Sequence, residues 1–211
     1  MFPNMEVKVV HNFFDLDVVD KTVYKKKELS LLYLSNIMES KGVFKLIEAV
    51  DNLRARGVEV TLDVAGAPMS DDFLSCEQVK IKFKDLIKDK DYIRYHGSID
   101  GKEKAVLLHE SMIFVLPSFY KTEAQPLSLI EAMASGCILI TTNHNYLPDL
   151  VKHGVNGSLV TKGSVSELES AIFDYCRNVE KSLTISKYNI SYAEKYFSKS
   201  KYIENLAKII G

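Results

Sequence analysis

The sequence predicts an α/β protein built on a doubly wound parallel sheet, and three observations carry that prediction. From Leu31 onward, short β-rich apolar runs alternate with longer stretches of helical period, the pattern of successive βαβ units. The run Met112–Leu116 is apolar at every position, as a parallel strand covered on both faces requires. Glycine or proline closes most of the runs, which is how a chain with short connections is punctuated.

The elements follow in order. Leu31–Leu34 is the first clear strand, and the polar stretch Ser35–Ser40 is its exit loop. A helix runs from about Gly42 to Arg54, because Val43, Phe44, Ile47, Val50 and Leu53 share one face and Lys45, Asp51 and Arg54 lie off it. Gly57 stops it. Val58–Ala65 is the second strand, closed by Gly66-Ala67-Pro68. Asp71 to about Lys88 has helical period, with Phe83, Leu86 and Ile87 inward. Tyr92–His96 is a short strand stopped by Gly97, and Lys102–Glu110 a short helix. After Met112–Leu116, Pro126–Ser135 reads as a helix, since proline in a first turn lacks only an N–H that would have no partner there. Ile138–Thr141 and Ser158–Val160 are the last strands. Ser164 and Glu167 have capping-box spacing and open a helix carrying Val165, Leu168, Ile172 and Tyr175. Two amphipathic stretches, around Tyr192–Phe197 and Tyr202–Ile210, end the chain. Residues 1–22 differ: Glu6–Val10 could form one strand, but His11–Asp15 is loop-like, so this segment reads as an arm or linker before a domain at 23–211.

Composition bounds the function. The 211 residues, 46% apolar and 26% charged, suit one large domain with a buried core. A net charge of -1 argues against a dedicated nucleic-acid binder. The densest basic run, Lys25-Lys26-Lys27, reads as a solvated turn. Cys76, Cys137 and Cys176 are odd in number and form no Cys-x-x-Cys pair, which fits a reducing compartment and offers no zinc signature; Cys137 reads as a buried small hydrophobe. No stretch is apolar enough to span a bilayer, and the start does not read as a secretory signal. A cytoplasmic protein is expected, with peripheral contact at the inner face of the membrane left open.

In a doubly wound sheet, ligands bind beyond the carboxyl ends of the strands. The strongest constellation there is Glu123-Ala-Gln-Pro-Leu-Ser-Leu-Ile-Glu131-Ala-Met-Ala-Ser-Gly136. One glutamate lies in the loop after a buried strand and the other about one turn into the next helix. That helix opens at Pro126-Leu127, so its free N–H groups and positive dipole end lie between the acids and suit a diphosphate. A carboxylate accepts hydrogen bonds only, which suits the hydroxyls of sugars on either side of that phosphate. The alternative is a surface loop whose glutamates merely favour the dipole. Lys41-Gly42, at the start of the first helix, could add a mobile positive charge or be an ordinary exposed lysine. Gly66 and His96, at strand ends on the same edge, are further candidate contacts, although His96 also suits a satisfied strand-end histidine. Gly-x-Gly-x-x-Gly, a Walker glycine loop, His-Glu-x-x-His and Gly-x-Ser-x-Gly are all absent.

Taken together these pieces resemble the C-terminal domain of family 4 retaining glycosyltransferases, which have the two-domain, Rossmann-like GT-B fold. Two glutamates separated by seven residues, Glu123 and Glu131, precede Ala-Met-Ala-x-Gly ending at Gly136. Val115–Ser118, Tyr120–Glu123, Ser35-Asn36 to Lys41-Gly42, Tyr95-His96-Gly97 and Asp149–Gly157 are similar to the family in its order, covering about Leu29 to Cys176. Val9–Asp15 is similar to the segment where such enzymes leave their N-terminal domain.

The resemblance implies roles. Glu131 holds the ribose hydroxyls of a nucleotide sugar, Glu123 contacts the transferred sugar, and Lys41 neutralises the diphosphate, helped by the main chain at Pro126, Leu127 and Ser128. No metal or other cofactor is expected, and the sugar is transferred with retention of configuration. The implied partners are the nucleotide-sugar donor and an N-terminal acceptor domain, in the same protein or as a separate subunit. Without that domain the chain is expected to be inactive, and a glycan or lipid-linked acceptor is implied. Two departures touch the site. Asn36 stands where most members carry a diphosphate-binding arginine, and Ala124-Gln125 replaces the usual glycine-aromatic pair, which leaves Gln125 as a candidate sugar contact. A non-catalytic nucleotide-sugar-binding module and a GT-B-type epimerase remain alternatives at this stage.

Overall fold

The computed structural model describes residues 8–16 and 25–210. Residues 8–16 have no regular secondary structure, so Lys8–Val10 do not form the strand that Glu6–Val10 could have made; Glu6, Val7 and residues 17–22 of the expected linker lie outside the described residues. The elements run β1 (Lys27–Leu34), α1 (Val43–Ala55), β2 (Thr61–Ala65), α2 (Cys76–Ile87), β3 (Ile93–Gly97), α3 (Gly101–Glu110) and β4 (Ser111–Leu116). They continue with α4 (Leu127–Ala134), β5 (Ile138–Thr142), α5 (Leu147–Leu150), β6 (Gly157–Val160), α6 (Val165–Arg177), α7 (Val179–Phe197) and α8 (Lys199–Ile210).

Among the described residues the strands form one parallel sheet in the order β3-β2-β1-β4-β5-β6. This is the doubly wound, Rossmann-like arrangement. Right-handed crossovers send helices to one face as the chain steps outward from β1 to β3, and to the other face as it steps from β4 to β6. Helix α1 packs against α6, and α4 against α7. The connections leaving β1 and β4 therefore diverge, opening a crevice at their carboxyl ends. The strands on either side of it read as their burial demands. Every residue of β4 and β5 is buried, and Leu31, Leu32 and Tyr33 of β1 are wholly inaccessible. The α1 face drawn from periodicity is the buried one, with Leu46 and Ala49 added to it.

Local chemistry corrected several expectations. Helix α2 starts at Cys76 and not at Asp71. The Asp71 carboxylate instead accepts the N–H groups of Phe73 and Leu74, both at 3.0 Å, which folds the chain into a turn that competes with helix. Ser75 and Gln78 then form a full capping box. The box expected at Ser164 is half made: Glu167 N–H donates to Ser164 Oγ, but the Glu167 carboxylate takes the N–H of Thr161. The stretch ending at Phe197 is the last part of a 19-residue helix, and the sequence does not announce the four-residue α5, because one turn is too short to show a helical period. The lysine run is not uniformly solvated. Lys26 Nζ is buried, 2.9 Å from Leu108 O, 2.6 Å from Ser111 O and 3.3 Å from Cys137 Sγ, and burial lowers its pKa. Cys137 is fully buried as expected, and burial pushes its thiol up.

Residues 11–14 lie between the end of α7 and the loop before α4. Phe14 N–H donates to Phe197 O at 3.1 Å, Phe13 packs on Tyr202, and His11 meets the edge of Phe197. Among the described residues, no helix is long and apolar enough to cross a membrane.

Candidate active site

Three loops are tied together at the crevice. Those after β1 and β2 run side by side: Ser35 N–H donates to Ala65 O at 3.1 Å, Ile37 N–H to Ala67 O at 2.8 Å, and Met69 N–H back to Ile37 O at 3.0 Å. Gly66 permits this approach, because a Cβ there would stand 1.9 Å from Ser35 O. The buried Tyr33 hydroxyl fixes the turn by donating to Asn36 O at 2.7 Å; burial pushes its pKa far above the usual phenol value.

Asp71 reaches across to the same loop. Its Oδ2 accepts both the N–H and the hydroxyl of Ser40 at 2.7 Å. Burial would raise the Asp71 pKa, but the hydrogen bonds from Ser40, Leu74 and Phe73 together outweigh it and hold the pKa below the ordinary aspartate value. Ser40 O in turn accepts Phe119 N–H at 2.7 Å, joining the β1 loop to the β4 loop. At Gly42 the two loops touch. Its φ is 79°, and a Cβ would lie 2.2 Å from Pro117 O, so only glycine lets α1 begin here.

This architecture delivers Lys41 to Glu123. The ammonium lies 2.7 Å from Glu123 Oε2 and 4.7 Å from the centre of the Tyr120 ring. Ser118 Oγ donates to the same carboxylate oxygen at 2.6 Å. Ser118 is itself fixed, since its carbonyl accepts the Thr142 hydroxyl. The pair is nearly buried, with side-chain exposures of 13% for Lys41 and 7% for Glu123.

Helix α4 begins at the same place. No side chain caps it, and its first turn carries no acidic residue, so the N–H groups at Leu127 and Ser128 are left for a ligand or water. Glu131 is buried further along the helix, and Lys104 Nζ of α3 meets its Oε1 at 2.7 Å. Glu131 and Leu127 line a cleft of about 330 Å³ closed by Asn12, Phe13 and Asp15. A second cleft, of about 210 Å³, lies at the ends of β1, β2 and β3 among Ser35, Asn36, Gly66, Ser98 and Ile99.

The structure thus brings Lys41 and Glu123 into contact, puts Pro126, Leu127, Ser128 and Glu131 on one helix beside them, and puts Asn36 and Gly66 on the second cleft. Two candidates are engaged elsewhere. Gln125 Oε1 accepts Asn12 N–H at 2.5 Å and its Nε2 faces His11 Nδ1 at 2.8 Å, so its amide is occupied by residues 11–12. His96 Nε2 lies 2.7 Å from Asp63 Oδ1, on a carboxylate that Arg94 also grips through two nitrogens. Sequence reading missed Asp71, Ser118 and Lys104. Asp71 carried a weak signal, as an acid before a serine cap; Lys104 carried none, standing 27 residues from Glu131 on another element.

Comparison with known proteins bears on the family and the fold. The chain is 27% identical over 153 residues to the putative colanic acid biosynthesis glycosyltransferase WcaL of Salmonella typhimurium, covering 71% of this chain and 36% of that protein. It is 32% identical over 142 residues to the glycogen synthase of Mycobacterium tuberculosis, covering 67% of this chain and 32% of that enzyme. It therefore spans about a third of the length of these curated relatives. Two solved structures share the fold. An S. aureus TarM mutant in complex with Fondaparinux, alpha-GlcNAc-glycerol and UDP superposes with a TM-score of 0.80 at 19% identity, over 98% of this chain and 40% of that one. Anabaena HepE in complex with UDP-glucose superposes with a TM-score of 0.76 at 22% identity, over 96% of this chain and 57% of that one. The sequence profile of the glycosyl transferases group 1 matches residues 17–192, and the chain belongs to that family.

Proposed function

We propose that this chain is the donor-binding half of a retaining, family 4 glycosyltransferase that transfers a sugar from a nucleoside diphosphate to a glycan or lipid-linked acceptor. The observation that carries this reading is the placement of Lys41, Glu123 and the uncapped start of α4 at one switch-point crevice, with the lysine 2.7 Å from the acid.

Each group then has a task. The diphosphate lies against Lys41 and the N–H groups of Leu127 and Ser128, which are fixed before the reaction. Negative charge grows on the leaving phosphate as the glycosidic bond breaks, and fixed donors stabilise it without reorganising. Lys41 keeps one N–H on Glu123 Oε2 and offers its others to that phosphate, and the carboxylate accepts hydroxyls of the transferred sugar near its reacting face. Glu131 accepts the ribose hydroxyls in the cleft it lines, and the base occupies the cleft at Asn36, Gly66 and Ser98. These groups supply the positive charge a metal would otherwise bring. The acceptor side comes from an N-terminal domain, in the same protein or as a separate subunit, because transfer needs both reactants held together. The UDP complexes of the S. aureus and Anabaena proteins support a uridine nucleotide as the first donor to try. The colanic acid and amylovoran biosynthesis relatives support a polysaccharide acceptor.

Calorimetric titration of residues 1–211 with UDP, GDP, ADP and their sugars, beside Glu131→Ala, tests the proposal. Saturable binding that weakens in the variant is expected and identifies the base. Absence of binding to any nucleotide, or binding indifferent to Glu131, refutes the donor-site reading.

A further inference from the structure

Lys104 is the one cation that the described residues bring to Glu131. Nothing local explains a lysine there. It is the fourth residue of α3, near a positive dipole end that favours acids. Its partner sits in an apolar setting, flanked on α4 by the buried Leu129, Ile130, Ala132 and Met133. The contact engages Oε1; among the described residues no group donates to Oε2, and Glu131 lines the cleft beside Leu127. Helix α3 also follows directly on Ser98 and Ile99, which line the other cleft.

We propose that Lys104 is a positioning residue for ribose recognition: it anchors the Glu131 carboxylate through Oε1, so that Oε2 accepts the vicinal hydroxyls of a ribonucleotide. The inference rests on the donor-site reading above and adds the residue that sets ribose selectivity. A carboxylate oxygen that no protein group engages keeps its acceptor capacity for the hydroxyls of a ligand. Lysine suits the task because it donates without accepting and does not compete for the diol.

The test uses calorimetry with the best-bound of UDP, GDP and ADP, and with the 2′,3′-dideoxy form of the same nucleotide. Wild type is compared with Lys104→Met, Lys104→Arg and Glu131→Gln, and thermal melts check that each variant is folded. Wild type should prefer the ribonucleotide by about tenfold, the size of a charged hydrogen bond. Lys104→Met should bring that ratio close to one, as Glu131→Gln does, and Lys104→Arg should keep part of it. A wild-type ratio in Lys104→Met overturns the role of Lys104 while leaving the donor site standing. Failure of wild type to bind any of the three nucleotides overturns both.

Discussion

The crevice holds two lysine–glutamate pairs of equal length, both 2.7 Å, in different settings. Lys41–Glu123 is the more enclosed, and its acid also takes the Ser118 hydroxyl while its cation lies over Tyr120. Lys104–Glu131 is single-bonded, and its lysine is 23% exposed. The difference teaches that the first pair is embedded in a loop network spanning three strands, whereas the second is a contact between two helices. A group that must meet developing charge gains from being fixed beforehand, and a group that grips a ligand can be held more lightly.

Four substitutions break or sharpen this comparison. The largest effect is expected from Glu123→Ala in a complete two-domain enzyme, with kcat falling by about 10²–10³ if the acid acts on the transferred sugar. Rates within tenfold of wild type would remove Glu123 from the reaction. Lys41→Met leaves a nearly buried carboxylate without its cation and should cost about 3 kcal/mol in urea unfolding. Adding Glu123→Gln should restore part of that loss, and strictly additive costs would mean that the pair is not coupled. Lys104→Met, at the more exposed pair, should cost at most about 1 kcal/mol; an equal cost at both pairs would erase the distinction drawn here.

Gly42→Ala tests the loop network itself. It forces a side chain into a left-handed backbone and against Pro117 O, so a loss of about 2–3 kcal/mol is expected by denaturant titration. The smallest effect is a pH dependence at Asp71. Its folded pKa is depressed, so its contribution is present above the unfolded aspartate value and fades as pH falls through the lower folded value. Asp71→Asn should flatten the acid limb of the stability profile in that window by about 1 kcal/mol or less. An unchanged acid limb would show that the Ser40 contact is not stabilising.

Much of the fold was legible because backbone periodicity is a local signal. The apolar run of β4 and the one-sided face of α1 each follow from neighbouring residues, and the six strands named from Leu31 onward are present. Boundaries were less legible where a side chain competes with the backbone, as Asp71 does before α2 and Glu167 does before α6.

The sequence by itself determined the order of strands and helices and the Glu123–Glu131 spacing across the start of α4. These are set by hydrophobic period and by residues within two turns of one another. Only the tertiary structure decided that Lys41 meets Glu123 across 82 residues, that Lys104 meets Glu131 across 27, and that Gln125 turns to residues 11–12. The physical reason is that the sheet order puts β1 beside β4, so the loops that follow them converge although the chain between them is long. A long side chain such as lysine finds its partner through that geometry, and nothing in its own stretch of sequence names the acid it will reach.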